Sequence, residues 1–283
     1  MPKVSVIIPT YNRPDLVSRA IDSVLAQSFQ DFEVIVVDDG IEKRSEVVVL
    51  AFGDKRIRYI KNESSLGGGG ARNVGIKNAQ GEFVAFLDDD DLWLPKKLEI
   101  QINAIEEEIG GLGFCFTSVA KDDGNKMENT SVDENTRDWS VRSLTRFKGF
   151  LTSTLLVNRK VFEEVGYFDE SFPTHQEADL IVRISQVYKG VGINTPLVVM
   201  DISPHEHIGG NIKKRIIGRE KIISKHKDLI SKYPDILAKH YFWLGLLYRN
   251  DGQFAKAKEV FKQSLGIRFS FRTMFHLMLL WSK

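Results

Sequence analysis

The sequence predicts an α/β protein, in which a sheet is flanked by helices, followed by a helical extension at the C-terminal end. Short apolar runs rich in β-branched residues alternate with helix-period patterns through the first 120 residues, which is typical of strands joined by crossover helices. Beyond Asn211 the apolar residues recur at helical spacing. We therefore expect a sheet domain over residues 1–210 and a helical region over residues 211–283.

Each element of the expected sheet domain has its own local signal. Strands are predicted at the apolar runs Val4–Ile8, Glu33–Val37, Ile57–Ile60, Phe83–Leu87, Thr154–Val157 and Val191–Asp201. Helices are predicted where apolar residues follow helical spacing, over Pro14–Leu25, Ala71–Ala79, Pro95–Ile109, Arg159–Val165 and Ala178–Val187. The stretch from Asp122 to Arg146 is polar and weakly periodic, and we expect a loop there that covers one end of the sheet.

The helical region contains three different patterns. Lys213–Lys232 carries eight basic and two acidic residues around isoleucine and leucine positions, so it predicts a basic amphipathic helix. After Pro234, the pattern Trp243-Leu244-Gly245-x-x-Tyr248 resembles one tetratricopeptide hairpin, over about residues 238–266. An apolar stripe follows over Phe269–Trp281. The sequence leaves open whether these helices contact a membrane, form a homodimer or pack only on the sheet domain.

The composition excludes several classes of protein. Among 283 residues, 39 Lys and Arg balance 38 Asp and Glu, so the formal net charge of +1 gives no bulk attraction to nucleic acid. Hydrophobic residues make up 42% and charged residues 27%, which is unlike disordered or fibrous chains. Cys115 is the only cysteine, which excludes an internal disulfide and a zinc site built from several cysteines.

Polar side chains directly follow three of the predicted strands. These are the segments Pro9–Arg13, Asp38–Gly40 and Asp88–Asp91. Because ligands of open α/β sheets bind at the carboxyl ends of strands, we expect the three segments to meet in one crevice. Two carboxylates 4 Å apart repel each other by ~4 kcal/mol at an effective dielectric near 20, so four adjacent aspartates favour a bound Mg²⁺ or Mn²⁺. A solvated acidic loop that caps the next helix is the alternative.

A glycine run precedes the predicted helix at Ala71. The backbone of Gly67–Gly70 allows close approach of an anionic ligand, and Arg72 adds a guanidinium group. The run matches neither the dinucleotide-binding fingerprint nor the P-loop. A glycine-rich turn without a ligand is the alternative reading of this segment.

Six ordered segments carry these motifs, namely Val4–Asn12, Val36–Gly40, Gly70–Gly75, Gly81–Asp91, Val165–Glu170 and Gln176–Leu180. In order and spacing they resemble the family-2 glycosyltransferases of the GT-A fold, over about residues 3–210. The resemblance implies a GT-A-like, Rossmann-like mixed sheet flanked by helices. It also implies an inverting enzyme that moves a sugar from a nucleotide-sugar, expected to be a UDP-sugar, to a hydroxyl acceptor in surface polysaccharide or glycolipid biosynthesis.

The resemblance also implies roles for single residues. The residues that would bind the nucleotide are Thr10, Tyr11, Asp39, Arg72, Asp88 and Asp89. Asp39 would accept a hydrogen bond from the imide N–H of a uracil-like base. Asp90, together with Asp88, would coordinate Mn²⁺ or Mg²⁺, which offsets the charge that develops on the leaving diphosphate. The segment Gly40-Ile41-Glu42 departs from the Ser and Thr that the family commonly has there.

Glu177 stands where the family usually has an aspartate that serves as the catalytic base. By resemblance, its carboxylate would deprotonate the acceptor hydroxyl as that hydroxyl attacks the anomeric carbon. The preceding Gln176 replaces an acidic residue that is common in the family. Asp179 is the rival base, but two residues further along a helix it should point elsewhere and pair with Arg183. His205 and His207 fit either acceptor-side contacts or ordinary loop histidines.

Two other functions fit parts of the sequence. A sugar nucleotidyltransferase also uses a sheet, a glycine-rich loop and metal-binding aspartates, but Pro9–Asn12 does not supply its phosphate loop. A noncatalytic scaffold would sense a nucleotide and bind a partner through the helical region.

The first apolar run stops at Pro9 and does not fit a secretory signal, and no apolar run reaches the ~20 residues of a membrane span. We expect a cytoplasmic protein, peripheral at the inner face of the membrane if the tail binds lipid, with a saccharide or lipid-linked acceptor.

Overall fold

A computed structural model of the chain describes residues 1–42, 44–107, 111–122, 127–132, 139–140, 144, 151–201 and 211–280. The strands are β1 Val4–Thr10, β2 Phe32–Asp38, β3 Ile57–Lys61, β4 Phe83–Phe86, β5 Asp91–Trp93, β6 Phe114–Asp122, β7 Met127–Asn129, β8 Leu155–Asn158 and β9 Gly190–Asp201. The helices of the sheet domain are α1 Pro14–Leu25, α2 Arg44–Ala51, α3 Gly67–Asn78, α4 Lys97–Glu106, α5 Lys160–Val165 and α6 Gln176–Ser185. The C-terminal helices are α7 Ile212–Lys225, α8 Lys227–Ile230, α9 Pro234–Asn250, α10 Phe254–Ile267 and α11 Phe271–Met278.

The described strands form one mixed sheet in the order β3-β2-β1-β4-β8-β6-β9-β5, with β7 paired to β6. The first four strands of that order run parallel, so their carboxyl ends lie at one edge. Strand β8 is antiparallel to both of its neighbours, whereas β6 and β9 pair in parallel. The predicted mixed sheet with flanking helices is therefore confirmed.

Side chains of β1 alternate between two apolar cores, one on each face of the sheet. Val6 and Ile8 pack with α1 and α4, while Ile7 packs with α3, α5 and α6. The layer of α3 lies very close to the sheet, because a Cβ atom at Gly75 would overlap Ile7. The result is a three-layer α/β/α arrangement that carries the carboxyl ends of the parallel strands at one edge.

Several predicted elements need correction. Helix α2 and strands β5, β6 and β7 were not predicted. Helix α2 includes Val47, Val48 and Val49, whose β-branched side chains hide a helical pattern. Strand β5 starts at Asp91, immediately after three other aspartates, where strand propensity is low. Burial of Val49 in the core favours helix α2, and pairing with β9 favours strand β5, over the local preference.

The glycine run is helical, so the predicted loop over Gly67–Gly70 is wrong. Helix α3 begins at Gly67, which takes a φ of +71° that suits glycine.

The single basic helix predicted over Lys213–Lys232 is also wrong. It ends at Lys225, and a separate short helix follows His226, whose side chain contacts the sheet domain.

Helices α9 and α10 form a hairpin within the C-terminal region. Gly245 on α9 allows close contact with Phe261 on α10, and the Ser264 hydroxyl donates a hydrogen bond to the Ala238 carbonyl at 2.8 Å. Helix α11 packs against α10 and buries Leu277 in the same core. Along the described ranges of the chain, none of the helices combines the length and apolar character that a bilayer crossing requires. The boundary at residue 210 and the tetratricopeptide character of the hairpin stay predictions.

Candidate active site

The loops that follow β1 and β4 are joined by hydrogen bonds at the carboxyl edge of the sheet. The Thr10 hydroxyl at the end of β1 donates to Asp89 Oδ2 at 2.8 Å. Arg13 Nη1 lies 3.2 Å from Asp89 Oδ1 and 3.3 Å from Asp90 Oδ2. Tyr11, which lies between Thr10 and Arg13 in the sequence, is exposed over 45% of its surface. The predicted meeting of these two segments is therefore observed.

Asp39, which follows β2, is saturated by donors of its own chain. Oδ1 accepts hydrogen bonds from Asn62 Nδ2 at 2.8 Å and from the Leu66 backbone N–H at 2.7 Å. Oδ2 accepts from the Ser65 hydroxyl and from the Gly67 backbone N–H, both at 2.8 Å. The carboxylate thus binds backbone N–H groups at the start of α3, where negative charge is favourable.

The segment after Asp39 is held through its backbone. Asn12 has a left-handed φ of +54°, and its Oδ1 accepts hydrogen bonds from the backbone N–H groups of Ile41 at 2.9 Å and Glu42 at 3.0 Å. A Cβ atom at Gly40 would overlap Asn12 Oδ1, so only glycine fits there. Because Ile41 and Glu42 use main-chain atoms in these contacts, the departure from the family's Ser and Thr leaves this loop intact.

Arg72 joins three elements of the site. Its side chain is 10% exposed, with Nη2 placed 2.5 Å from Asp88 Oδ1 and Nη1 placed 3.2 Å from Gln176 Oε1. Gln176 in turn donates through Nε2 to the Phe172 carbonyl at 2.7 Å. Within the described residues, Arg72 Nε is buried without a hydrogen-bond partner. Gln176 therefore serves as a neutral acceptor for Arg72, and helix α6 is tied to the acidic loop.

Asn73, the next residue of the glycine-rich motif, binds a distant motif. Its Nδ2 donates to the Phe168 carbonyl and to Glu170 Oε1, both at 2.9 Å, and its Oδ1 accepts from the Phe168 N–H at 3.0 Å. The motif that contains Arg72 and Asn73 is thus hydrogen-bonded to the motif that contains Phe168 and Glu170.

Ser153 is a site residue that sequence reasoning missed. Its hydroxyl accepts a hydrogen bond from the Asp88 backbone N–H at 3.0 Å and donates to Asp91 Oδ2 at 2.5 Å. Its carbonyl accepts from Trp93 Nε1 at 2.9 Å. Ser153 lies in a short 3₁₀ turn 62 residues after Asp91, and a lone serine before a strand gives no signal of this contact.

Burial, and to a lesser degree repulsion from neighbouring aspartates, disfavours the charged form of two aspartates in the run. Burial raises the pKa of Asp89 to about 6, against the lowering effects of the Thr10 hydroxyl and a nearby arginine. Burial and the neighbouring Asp88 charge raise the pKa of Asp91 well above its usual range, although the Ser153 hydroxyl opposes that rise. A cation at this loop would relieve the repulsion.

Glu177 occupies the first turn of α6, next to the same group of charges. Burial raises the pKa of Glu177 to about 6, and the nearby Asp88 charge adds to the rise while Arg72 opposes it. His175 precedes the helix in a left-handed conformation with φ of +66°. The charges of Arg72 and Asp88 thus act on the Glu177 carboxyl, and its role as the base stays a prediction.

Asp179, the rival base, is engaged on the opposite side of α6. It is fully buried, and it contacts Arg183 Nε at 3.0 Å, Lys225 Nζ at 2.8 Å and His226 Nε2 at 2.9 Å. Burial alone would raise the pKa of Asp179, but the hydrogen bonds from His226 and Lys225 outweigh it and hold the pKa below its usual value. The predicted pair with Arg183 is confirmed, and the two contacts from the C-terminal region were not foreseen.

The predicted metal ligands are ion-paired here. Asp88 contacts Arg72 and Asp90 contacts Arg13, and the described residues contain no group of three or more His, Cys, Asp or Glu side chains arranged to hold a metal. Magnesium sites at phosphorylated substrates commonly use one or two carboxylates, with phosphate oxygens and water completing the shell. Asp88 and Asp90 therefore fit a metal that binds together with a diphosphate.

Two predictions concern residues that lie wholly or largely outside the described ranges. The first concerns His205 and His207, which both lie outside them. The expected covering loop over Asp122–Arg146 is described only at its start and in short pieces, and one of these pieces, the exposed strand β7, pairs with β6.

Comparison with known proteins agrees with this fold. The model of the family described as Glycosyl transferase family 2 matches residues 5–166. An uncharacterized glycosyltransferase of Rickettsia felis is 35% identical over 193 residues, covering 66% of this chain and 32% of that protein. The Escherichia coli protein named UDP-Glc:alpha-D-GlcNAc-diphosphoundecaprenol beta-1,3-glucosyltransferase WfgD is 45% identical over 100 residues, covering 35% of this chain and 40% of its own length. The chain spans 28% to 32% of the length of three Rickettsia relatives.

Two solved structures show the same fold over almost the whole chain. S. aureus TarS 1-349 in complex with UDP-GlcNAc matches with a TM-score of 0.69 and 19% identity, covering 98% of this chain and 84% of that one. The mannosyltransferase PcManGT from Pyrobaculum calidifontis, in complex with GDP-Man and Mn²⁺, matches with a TM-score of 0.62 and 19% identity, covering 98% and 79%. The predicted GT-A-like architecture, with helices at its C-terminal end, is confirmed.

Proposed function

The chain belongs to glycosyl transferase family 2, and we propose that it transfers a sugar from a nucleotide-sugar to a hydroxyl acceptor with inversion at the anomeric carbon. One observation carries the proposal. Asp88, Arg72 and the first turn of α6 with Glu177 lie together at the carboxyl ends of the parallel strands, where α/β folds bind ligands. This arrangement offers a base and a site for a diphosphate side by side.

The proposed donor is a UDP-sugar. The WfgD relative is named for UDP-Glc, and the TarS structure contains UDP-GlcNAc. Thr10, Tyr11, Asp39, Asp88 and Asp89 would bind the nucleoside, with Arg72 beside the diphosphate. The buried Arg72 Nε, which has no partner among the described residues, is a donor that suits an anionic oxygen. A uracil imide at Asp39 would replace one of the four donors that the carboxylate now binds.

We assign Asp90 and Asp88 to a Mn²⁺ or Mg²⁺ ion that accompanies the donor. The PcManGT structure contains Mn²⁺, which supports a divalent metal. When bound, the ion would neutralise charge on the leaving diphosphate. Arg13 and Arg72 hold these carboxylates through ion pairs, so the chain itself keeps the acidic loop in one arrangement.

Glu177 acts as the general base in this mechanism. With a pKa of about 6 it is mostly ionised at neutral pH, and its carboxylate accepts the proton of the acceptor hydroxyl. The acceptor oxygen bonds to the anomeric carbon from the face opposite the diphosphate. The bond between the anomeric carbon and the diphosphate oxygen breaks, and the nucleoside diphosphate leaves with the electron pair.

The proposed acceptor is a saccharide carried on a lipid, in surface polysaccharide or glycolipid biosynthesis. The support is the WfgD relative, whose named acceptor is a diphosphoundecaprenol-linked sugar. The cytoplasmic location expected from the sequence stays a prediction.

Thermal unfolding with nucleotides tests the donor side of the proposal. The full chain is heated with UDP, GDP, TDP or CDP, each with Mn²⁺ or with a chelator. A ligand at about 100 times its dissociation constant should stabilise the fold by ~2.7 kcal/mol, so UDP with Mn²⁺ should raise the melting temperature. No shift with any nucleotide would overturn the donor assignment.

Replacing Glu177 with Gln tests the base. The variant should keep the UDP-induced shift in melting temperature and lose sugar transfer by about 100-fold or more. Unchanged transfer in the variant would reject Glu177 as the base while leaving the donor site untouched.

A further inference from the structure

Helix α11 is apolar on both of its faces. One face buries Thr273 and Leu277 against the C-terminal helices, and Leu280, just after the helix, is buried in the same core. The opposite face presents Phe271, Phe275 and Met278, at the same spacing of four and three residues. Phe271 is exposed over 84% of its surface, so this second stripe is not part of the core.

Neighbouring side chains extend the exposed stripe. The Phe269 ring packs edge-on against Phe271 at 5.0 Å between centroids, and the Arg272 guanidinium lies 5.7 Å from the centre of Trp243. We call the exposed apolar side chains of this region the α11 patch. It consists of Trp243, Phe269, Phe271, Phe275, Met278 and Leu279, each at least 44% exposed. A cluster of large apolar side chains on the surface marks an interaction site.

The α11 patch lies in the strongly basic part of the chain. Residues 1–210 carry 23 basic and 33 acidic side chains, whereas residues 211–283 carry 16 basic and five acidic ones. From Val260 to the last residue the sequence contains no Asp or Glu. Arg272 lies over the Trp243 ring of the patch, and Arg268, next to Phe269 in the sequence, pairs with Asp235. The near-zero net charge of the whole chain is thus the sum of a net negative charge over residues 1–210 and a net positive charge over residues 211–283.

We infer that the α11 patch docks on an anionic lipid bilayer. Exposed Phe, Trp and Met side chains on a basic helical surface fit the boundary between headgroups and acyl chains. Basic side chains near an anionic leaflet are attracted to it, and long arginine side chains reach the headgroups from an apolar surface. The inference concerns where the protein is held and is independent of which sugar or acceptor it uses.

A second copy of the chain is a poorer partner for the patch. A twofold contact would bring together two C-terminal regions that each carry 16 basic and five acidic side chains, so their net positive charges would repel. Lipid headgroups supply the opposite charge along the whole surface.

Vesicle sedimentation with the full chain tests the inference. Vesicles of phosphatidylcholine alone are compared with vesicles that also contain phosphatidylglycerol, at low and at high salt. Binding should require the anionic lipid and weaken as salt screens it. The double variant F271S/F275S should bind at least about tenfold more weakly, because it removes two large apolar side chains from the interface.

The double variant V47S/L50S on α2 is the matched control. It also removes two exposed apolar side chains, 70% and 62% exposed, but from the acidic half, and it should bind vesicles like the parent chain. Equal melting temperatures would show that both variants fold. The inference fails if anionic vesicles do not sediment the protein, or if F271S/F275S binds as well as the parent. It also fails if light scattering shows a dimer that F271S/F275S abolishes, since a second copy would then cover the patch.

Discussion

At the scale of single residues, Arg72 connects more of the candidate site than any one motif indicates. Its two terminal nitrogens contact Asp88 on the acidic loop and Gln176 on α6. A lysine ammonium cannot reach both partners in the geometry of a guanidinium fork. We expect Arg72→Lys to weaken UDP binding by about tenfold, in line with the loss of one charge-assisted hydrogen bond. Titration with UDP and Mn²⁺ measures this.

A lysine on the same helix provides the control for Arg72. Lys77→Ala removes an exposed charge of α3 that lies over the Tyr167 ring and contacts no carboxylate of the site. Its affinity for UDP should match that of the parent chain. Equal affinities for Arg72→Lys and the parent would contradict the role of Arg72.

The pH dependence of transfer reports on Glu177. Because the base works in its ionised form, transfer should rise with pH through about 6, the pKa to which burial raises this carboxyl. Asp89 titrates in the same range, so UDP affinity is measured over the same pH values to separate donor binding from transfer. Glu177→Gln should abolish the rise. A rise that persists in the variant's residual transfer would assign the titrating group elsewhere.

At the scale of elements, the C-terminal helices hold the helix that carries the proposed base. Lys225 and His226, at the junction of α7 and α8, contact Asp179 on α6, and Lys225 also lies 2.7 Å from Asp169. Asp179→Asn removes the charge that these partners surround. We expect the unfolding free energy to fall by about 3–5 kcal/mol, as when one member of a buried ion pair is lost. Urea unfolding measures it.

The turnover of the same variant separates positioning from stability. If the Asp179 contacts orient α6, Asp179→Asn should transfer sugar more slowly while binding UDP normally. Asp235→Asn is the control, because its ion pair with Arg268 is 58% exposed on both sides and should contribute less than about 1 kcal/mol. An equal loss of stability in both variants would show that burial of Asp179 has no special effect.

The elements also show what could be predicted from the sequence. Strands β1 to β4 and helix α1 follow clear apolar patterns and were predicted to within a few residues. Helix α3 was predicted to begin too late, because four glycines have poor helix propensity. Its first turn forms since Asp39 binds the N–H groups of Leu66 and Gly67, a contact across 27 and 28 residues that local pattern does not reveal.

The same limit applies to the candidate site. The strand ends predicted that Thr10 and Asp89 lie close together, and their contact is observed. The family resemblance added Arg72 and Glu177, and Arg72 is observed in contact with Asp88. Ser153 was missed because a single hydroxyl acquires its role only when the sheet brings β8 beside β4. The partners of Asp179 in the C-terminal region were missed for the same reason, since their contact depends on how two separate parts of the chain pack.

At the scale of the whole molecule, charge is divided between the two regions. The sheet domain has an excess of acidic residues and the C-terminal region an excess of basic ones. Ion pairs of Lys225 with Asp169 and Asp179 lie where the regions meet, so opposite charge helps to hold them together. The residues of the α11 patch take no part in these ion pairs, so the patch can contact an anionic partner.

The stability of the whole molecule should depend on Lys97. This lysine is fully buried, 2.5 Å from Gln101 Oε1 and 3.8 Å from the centre of the Trp93 ring, and no salt bridge is recorded for it among the described residues. Burial lowers the pKa of Lys97 to about 7, so above that pH the folded protein binds fewer protons than the unfolded chain. Stability must therefore rise with pH, by about 2 kcal/mol between pH 7 and 9.

Urea unfolding at a series of pH values tests this dependence. As the pH approaches 9, the ordinary pKa of a thiol, the buried Cys115, whose pKa is raised to about 12, begins to act in the opposite direction, because the folded protein then keeps a proton that the unfolded chain loses. The contribution of the lysine is therefore taken as the difference in slope between the parent chain and Lys97→Met. Lys97→Met should flatten the rise, since methionine fills a similar space without a charge. Lys96→Met, at the exposed neighbouring position, should keep it, and a slope that survives in Lys97→Met would place the titrating group outside the core.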